Sequence, residues 1–76
     1  MQYEAETYLL DLFIKTGIFK PLHIPDILPM MREKFNVSDK QVYATLFKWD
    51  LKRIINYGVS INFPWLEDPD KFNRDR

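Results

Sequence analysis

Between Asp26 and Trp49 the chain spells two helices separated by only three residues, Asn36-Val37-Ser38, and this corner constrains the fold more than any other feature. Ser38 and Gln41 form a capping box of the Ser-x-x-Gln type. The hydroxyl takes the Gln41 N–H, and the Gln41 side chain reaches back to the Ser38 N–H. Asn36 tolerates the left-handed backbone that ends the preceding helix. Val37 is expected to point into the core. So short a connection forces the two helices to cross.

The rest of the chain is arranged around that corner. The first helix is expected from Gln2 or Tyr3 to Lys15, with Ala5, Tyr8, Leu9, Leu12 and Phe13 at helical spacing. Tyr3, Leu10 and Ile14 widen the stripe enough for it to face both the core and a second subunit. Gly17 supplies the stop. Ile18 to Ile24 reads as an extended connector, with a short strand at His23 or Ile24. The second helix is expected to begin at Ile27 behind Asp26 as N-cap. That start puts Pro29 where its missing N–H has no intrahelical partner.

The third helix begins at Asp39 and has two apolar stripes, Val42-Leu46-Trp49 and Tyr43-Phe47-Leu51. Both are expected to be buried. Gln41, Ala44, Thr45, Lys48 and Lys52 form a polar side facing water. Spacing through Leu51, Ile54, Ile55 and Tyr57 favours a helix running to Tyr57, followed by a lone strand Val59–Phe63. The alternative is a stop near Lys52, with residues 53–55 and 59–63 paired as a hairpin around Asn56-Tyr57-Gly58. Asp50 decides between them: it needs a base such as Arg53 or Arg32, or the helix must bend. Residues 1–66 form one domain in this reading, and 67–76 a charged, mobile tail.

Composition removes several function classes. Aromatic residues make up 16% of the 76, far too many for a disordered segment. With no Cys and one His, disulfides and a Cys- or multi-His zinc site are excluded. There is no run of membrane-span length, and the acidic start Met1-Gln-Tyr-Glu-Ala-Glu is unlike a signal peptide, so a cytoplasmic location is expected. Only two glycines, and no Cys nucleophile, leave nothing resembling a phosphate loop or a catalytic set. The expectation is no enzyme and no cofactor. His23 reads as a half-buried connector residue. Eleven Lys and Arg balance eleven Asp and Glu, so binding to nucleic acid would require the cations to gather on one face.

These elements make a mainly α, three-helix, winged helix-turn-helix-like domain whose wing is a minimal β-hairpin or a single short strand. From Tyr8 to Gly58 the pattern resembles winged helix-turn-helix regulators, most closely the PadR-like repressors. The likeness lies in the apolar first helix Tyr8-Leu-Leu-Asp-Leu-Phe, in Phe35-Asn-Val-Ser at the corner, and in Val42-Tyr43-Ala-Thr-Leu46. Three positions depart from the pattern. Arg32 stands where a small residue is preferred, Thr45 where an apolar one is, and the wing tip Asn56-Tyr57-Gly58 carries no charge. The resemblance implies a small DNA-binding transcriptional regulator with the third helix in the major groove of double-stranded DNA. Lys40, Gln41, Thr45, Lys48 and Lys52 are the candidate contacts. The alternative is a protein-interaction module on the same fold without DNA binding: an adaptor, inhibitor or accessory subunit of the kind phages and plasmids encode. Neutral charge and many aromatics favour it. Tyr3, Leu10, Ile14 and Trp65 are the candidate interface residues, and a homodimer is left open.

Overall fold

A computed structural model describes residues 1–74. Three main helices, α1 (Tyr3–Thr16), α2 (Ile24–Phe35) and α3 (Asp39–Leu51), precede a two-stranded antiparallel ribbon of β1 (Ile55–Asn56) and β2 (Trp65–Leu66). A last short helix, α4, covers Asp70–Arg74. The fold is mainly helical, a helix-turn-helix with a small hairpin as wing. No helix among the described residues is long and apolar enough to cross a membrane.

The corner forms as its residues dictate. Asn36 is left-handed at φ 55° and its N–H donates to Arg32 O. Ser38 N–H donates to Gln41 Oε1 at 2.8 Å, and Gln41 N–H to Ser38 Oγ at 3.1 Å. Val37 is buried. An Arg32–Asp39 ion pair clamps α2 to α3 across the turn. This gives Arg32 a structural task at a position where a small residue was preferred.

Leu9, Phe13, Ile24, Met31, Leu46 and Trp49 are all fully buried in a core shared by the three helices. Trp49 meets Phe13 edge-on at 6.4 Å and Phe72 at 5.7 Å. Phe72 is 4% exposed and also stacks on Tyr3. The segment after Leu66 is therefore not a loose tail as far as it is described. α4 closes the core, and Glu67 accepts from Asn56 Nδ2 at 2.9 Å. The end of the expected tail, 75–76, lies outside the described residues.

Other expectations are corrected. α2 begins at Ile24, not Ile27, with His23 as N-cap. Pro25 falls at its second position, where a missing N–H costs nothing. The first turn is tightened by an Asp26 N–H to His23 O bond of 3.3 Å. Asp26 is thus within the helix, and its carboxylate meets His23 Nδ1 at 2.9 Å. Pro29 sits deeper inside than predicted. The bridge in the connector falls at Ile18, which joins Leu66, and not at His23 or Ile24.

α3 stops at Leu51. Arg53 turns left-handed at φ 64°, which sends both Ile54 and Ile55 into the core. Asp50 finds no base among the described residues: its carboxylate accepts the Tyr57 N–H at 3.1 Å. The hairpin partner of β1 is Trp65–Leu66 rather than 59–63, in the register Ile55↔Leu66 and Asn56↔Trp65. Residues 57–64 become the wing loop.

Candidate interaction surface

On a helix of 3.6 residues per turn, Lys40, Ala44, Phe47 and Leu51 share the side of α3 opposite the buried Val42, Thr45, Leu46 and Trp49. All four are exposed. The stripe expected to be buried beside the core is thus largely in water: Phe47 is 56% and Leu51 68% exposed, with only Tyr43 half-buried. Gln41, Lys48 and Lys52 line one flank of this stripe. Tyr43 and Asp50 line the other, and both hold the wing loop.

The loop is pinned along its length by polar groups. The Tyr57 N–H reaches Asp50, and the Tyr43 hydroxyl donates to Asn62 Oδ1 at 2.9 Å. Asn62 O accepts from the Ile24 N–H at 3.0 Å, and Asn62 N–H donates to Ser60 Oγ at 3.2 Å. Ser60 and Asn62 are thereby turned inward. The alternating residues Val59, Ile61 and Phe63 are turned out, with Val59 fully exposed. Phe63 stacks on His23 at 4.7 Å. The loop thus reverses the usual polar-out alternation of a half-buried strand. Phe47 lies between Tyr43 and Asp50 in α3, the two residues that tether the loop to the helix, and it is exposed as Val59, Ile61 and Phe63 are.

The residues predicted to contact DNA are only partly together on this surface. Lys40 and Lys52 are exposed. Gln41 is exposed, but its side-chain oxygen is committed to the capping box. Lys48 is half-exposed, with Nζ 3.5 Å from the carboxylate of Glu6, which is itself nearly buried on the core-facing side of α1. Thr45 is 5% exposed and cannot face water as expected. It occupies the core-facing position that a helix-turn-helix ordinarily gives to an apolar residue, and that preference already pointed inward.

Among the predicted interface residues, Leu10 is buried at 7% exposure and belongs to the core. The stripe on α1 is consumed within the domain, with Tyr8 against Phe35 of α2, Phe13 against Trp49 of α3 and Tyr3 against Phe72 of α4. Tyr3 is half-exposed but stacks on Phe72. Ile14 is exposed near Ile18 and Phe19, with Gly17 ending the helix between them. Trp65 is half-buried, its ring over Gly58. Sequence reasoning missed Phe47, Leu51, Val59, Ile61 and Phe63. The available signal was arithmetic: a domain this small cannot bury apolar residues on every side of one helix.

The Tyr57 hydroxyl is buried without a hydrogen-bond partner among the described residues. Burial, and secondarily the Asp50 carboxylate, push its pKa up to about 12. Among the described residues there is no cluster of three His, Cys, Asp or Glu able to hold a metal ion. Comparison with known proteins finds no matching family model, curated protein or solved structure.

Proposed function

We propose that this chain is a protein-interaction module that grips its partner through the outward stripe of α3 and the wing loop. The inverted alternation of the loop carries the reading. Hydrogen bonds spent on Ser60 and Asn62 leave Val59, Ile61 and Phe63 in water, and Phe47 and Leu51 are exposed on the helix that tethers the loop. Exposed apolar surface on the order of several hundred Å² marks an interaction site. Large aromatic and aliphatic side chains held rigidly in this way are suited to anchor a partner.

The test is a Phe47→Ser, Leu51→Ser double variant, both changes at exposed positions. A partner captured on the wild-type chain from nuclease-treated extract is purified and titrated against both proteins. A stoichiometric complex that the double variant loses, with helix content unchanged, supports the reading. A complex that survives the double change refutes it.

The second reading is the DNA-binding regulator implied by the PadR-like resemblance. It is favoured by the helix-turn-helix geometry and by the charge of residues 40–66, where four Lys and Arg face one Asp. Salt-sensitive binding to duplex DNA, weakened by Lys40→Ala with Lys52→Ala, is its test.

A further inference from the structure

We infer that the segment seated on the α3–wing face is an acidic, amphipathic stretch of another protein, with apolar anchors on one side and carboxylates along its edges. This rests on the interaction-face reading above and adds the chemistry of the partner. The charge distribution carries it. The chain is neutral overall, yet residues 40–66 hold Lys40, Lys48, Lys52 and Arg53 against Asp50 alone. The remainder holds seven Lys and Arg against ten Asp and Glu.

Both acids of α3 are engaged within the fold and not offered to a partner: Asp39 is paired with Arg32, and Asp50 is half-buried and accepts the Tyr57 N–H. The cations, by contrast, surround the apolar stripe. Lys40 lies at its N-terminal end, Arg53 beyond its C-terminal end, and Lys48 and Lys52 along the flank away from the loop. Lys40, Lys52 and Arg53 are exposed. Among the described residues, none forms an ion pair with Lys40 or Arg53. From Lys40 to Leu51 the stripe is about 16 Å long, room for roughly three turns of a docked helix. Ala44, small among larger neighbours, lets such a helix approach closely. Complementary charge around an apolar centre sets register and rejects wrong partners.

A second copy of this chain fits the face poorly. A two-fold contact through α3 sets the cationic ends of one copy against those of the other. Packing the cationic face on the anionic remainder of the next copy is heterologous and does not close.

The experiment uses the full chain and two synthetic helical peptides. Both carry Leu and Phe at i, i+4 and i+7; one has Glu at the flanking positions and the other Lys. Fluorescence anisotropy at low ionic strength is expected to show the Glu peptide bound at least about tenfold more tightly than the Lys peptide. Lys40→Glu with Arg53→Glu should reverse that order, and Lys40→Gln with Arg53→Gln should flatten it. Phe47→Ser with Leu51→Ser should abolish binding of either.

Equal binding of both peptides, lost in the Ser variant, overturns the acidic partner and leaves the interaction face standing. No binding of either peptide overturns the acidic partner, and the captured-partner titration then judges the face by itself. Concentration-dependent dimerisation abolished by the Ser variant makes a second copy the occupant and overturns the inference. So does displacement of the Glu peptide by duplex DNA.

Discussion

Gly58→Ala should unfold the wing at a cost that the geometry allows to be worked out. Gly58 has φ 60°, and a Cβ built there falls 2.2 Å from Cζ3 and 2.4 Å from Cη2 of the Trp65 ring. The ring has little room to retreat. Pro64 O is held by the Leu22 N–H at 2.9 Å and Leu66 O by the Phe19 N–H at 3.0 Å, so the backbone on both sides of Trp65 is pinned. Gly58 is held too, since its N–H donates to Asn56 Oδ1 at 2.7 Å while Asn56 Nδ2 binds Glu67. A left-handed alanine costs about 1–2 kcal/mol, and forcing a methyl into a filled site about 1–3 kcal/mol more. A domain of this size has a total stability of roughly 4–11 kcal/mol. A loss of about 2–5 kcal/mol therefore lowers the melting temperature by at least about 10 °C. Circular dichroism with urea and heat measures it. In a Trp65→Leu background the same change should cost only the backbone part, leaving a coupling of about 1–3 kcal/mol. If Gly58→Ala stays within about 0.5 kcal/mol of the parent, the close packing of loop and strand is refuted.

Phe72→Ala should cost about 3–5 kcal/mol in urea unfolding, because Phe72 is packed on Trp49; a loss under about 1 kcal/mol would restore the loose-tail reading. Lys48→Ala should destabilise the fold by about 1–2 kcal/mol, discounted for its half-exposed ammonium, by stripping a counter-charge from the nearly buried Glu6. Adding Glu6→Gln should recover most of that loss; no recovery would assign the cost elsewhere. Tyr57→Phe removes a buried, unpartnered hydroxyl and should be neutral or stabilising below pH 10. Tyrosine titrates near 10 in the unfolded chain and about 12 here, so the unfolded state binds fewer protons between those values. Wild-type stability should therefore fall from pH 10 to 12 more steeply than that of Tyr57→Phe, and parallel curves would contradict the burial.

Local chemistry was legible in the sequence, and long-range compensation was not. Ser38 and Gln41 act over three residues, so the corner could be read directly, as could the first helix. The end of α3 could not. Leu51, Ile54, Ile55 and Tyr57 keep helical spacing, but arginine has no intrinsic preference for the left-handed turn found at Arg53. That turn follows from burying the adjacent Ile54 and Ile55 together against the other helices and Leu66. Val59-Ser-Ile-Asn-Phe has the right period for a strand, and period alone cannot say which face is inward. The Tyr43 and Ile24 bonds to Asn62 decide that, and they span 19 and 38 residues of sequence. The candidate surface followed from these two events, which is why its apolar members were expected in the core. Its charge was hidden for a different reason: a net count averages a cationic third of the chain with an anionic remainder.

That charge also limits what α3 could do on a duplex, and salt dependence makes the limit measurable. Lys48 is already held by Glu6. A phosphate backbone laid along the helix would meet the exposed Lys40, Lys52 and Arg53, at most about three contacts per copy. Counterion release then gives a slope of log affinity against log salt of about −3 for one copy and about −5 for two. Binding to phosphates would also leave Phe47, Leu51 and Val59 in water, so it would neither protect nor require them. Duplex binding with a slope of about −3 to −5, indifferent to Phe47→Ser with Leu51→Ser and abolished by Lys40→Ala with Lys52→Ala, is the result that would transfer this face from a protein partner to DNA. Binding with a shallow slope that fails in the Ser variant assigns the work to the apolar stripe. The two surfaces interleave on one helix but respond to opposite perturbations, so a single salt titration with these two variants separates them.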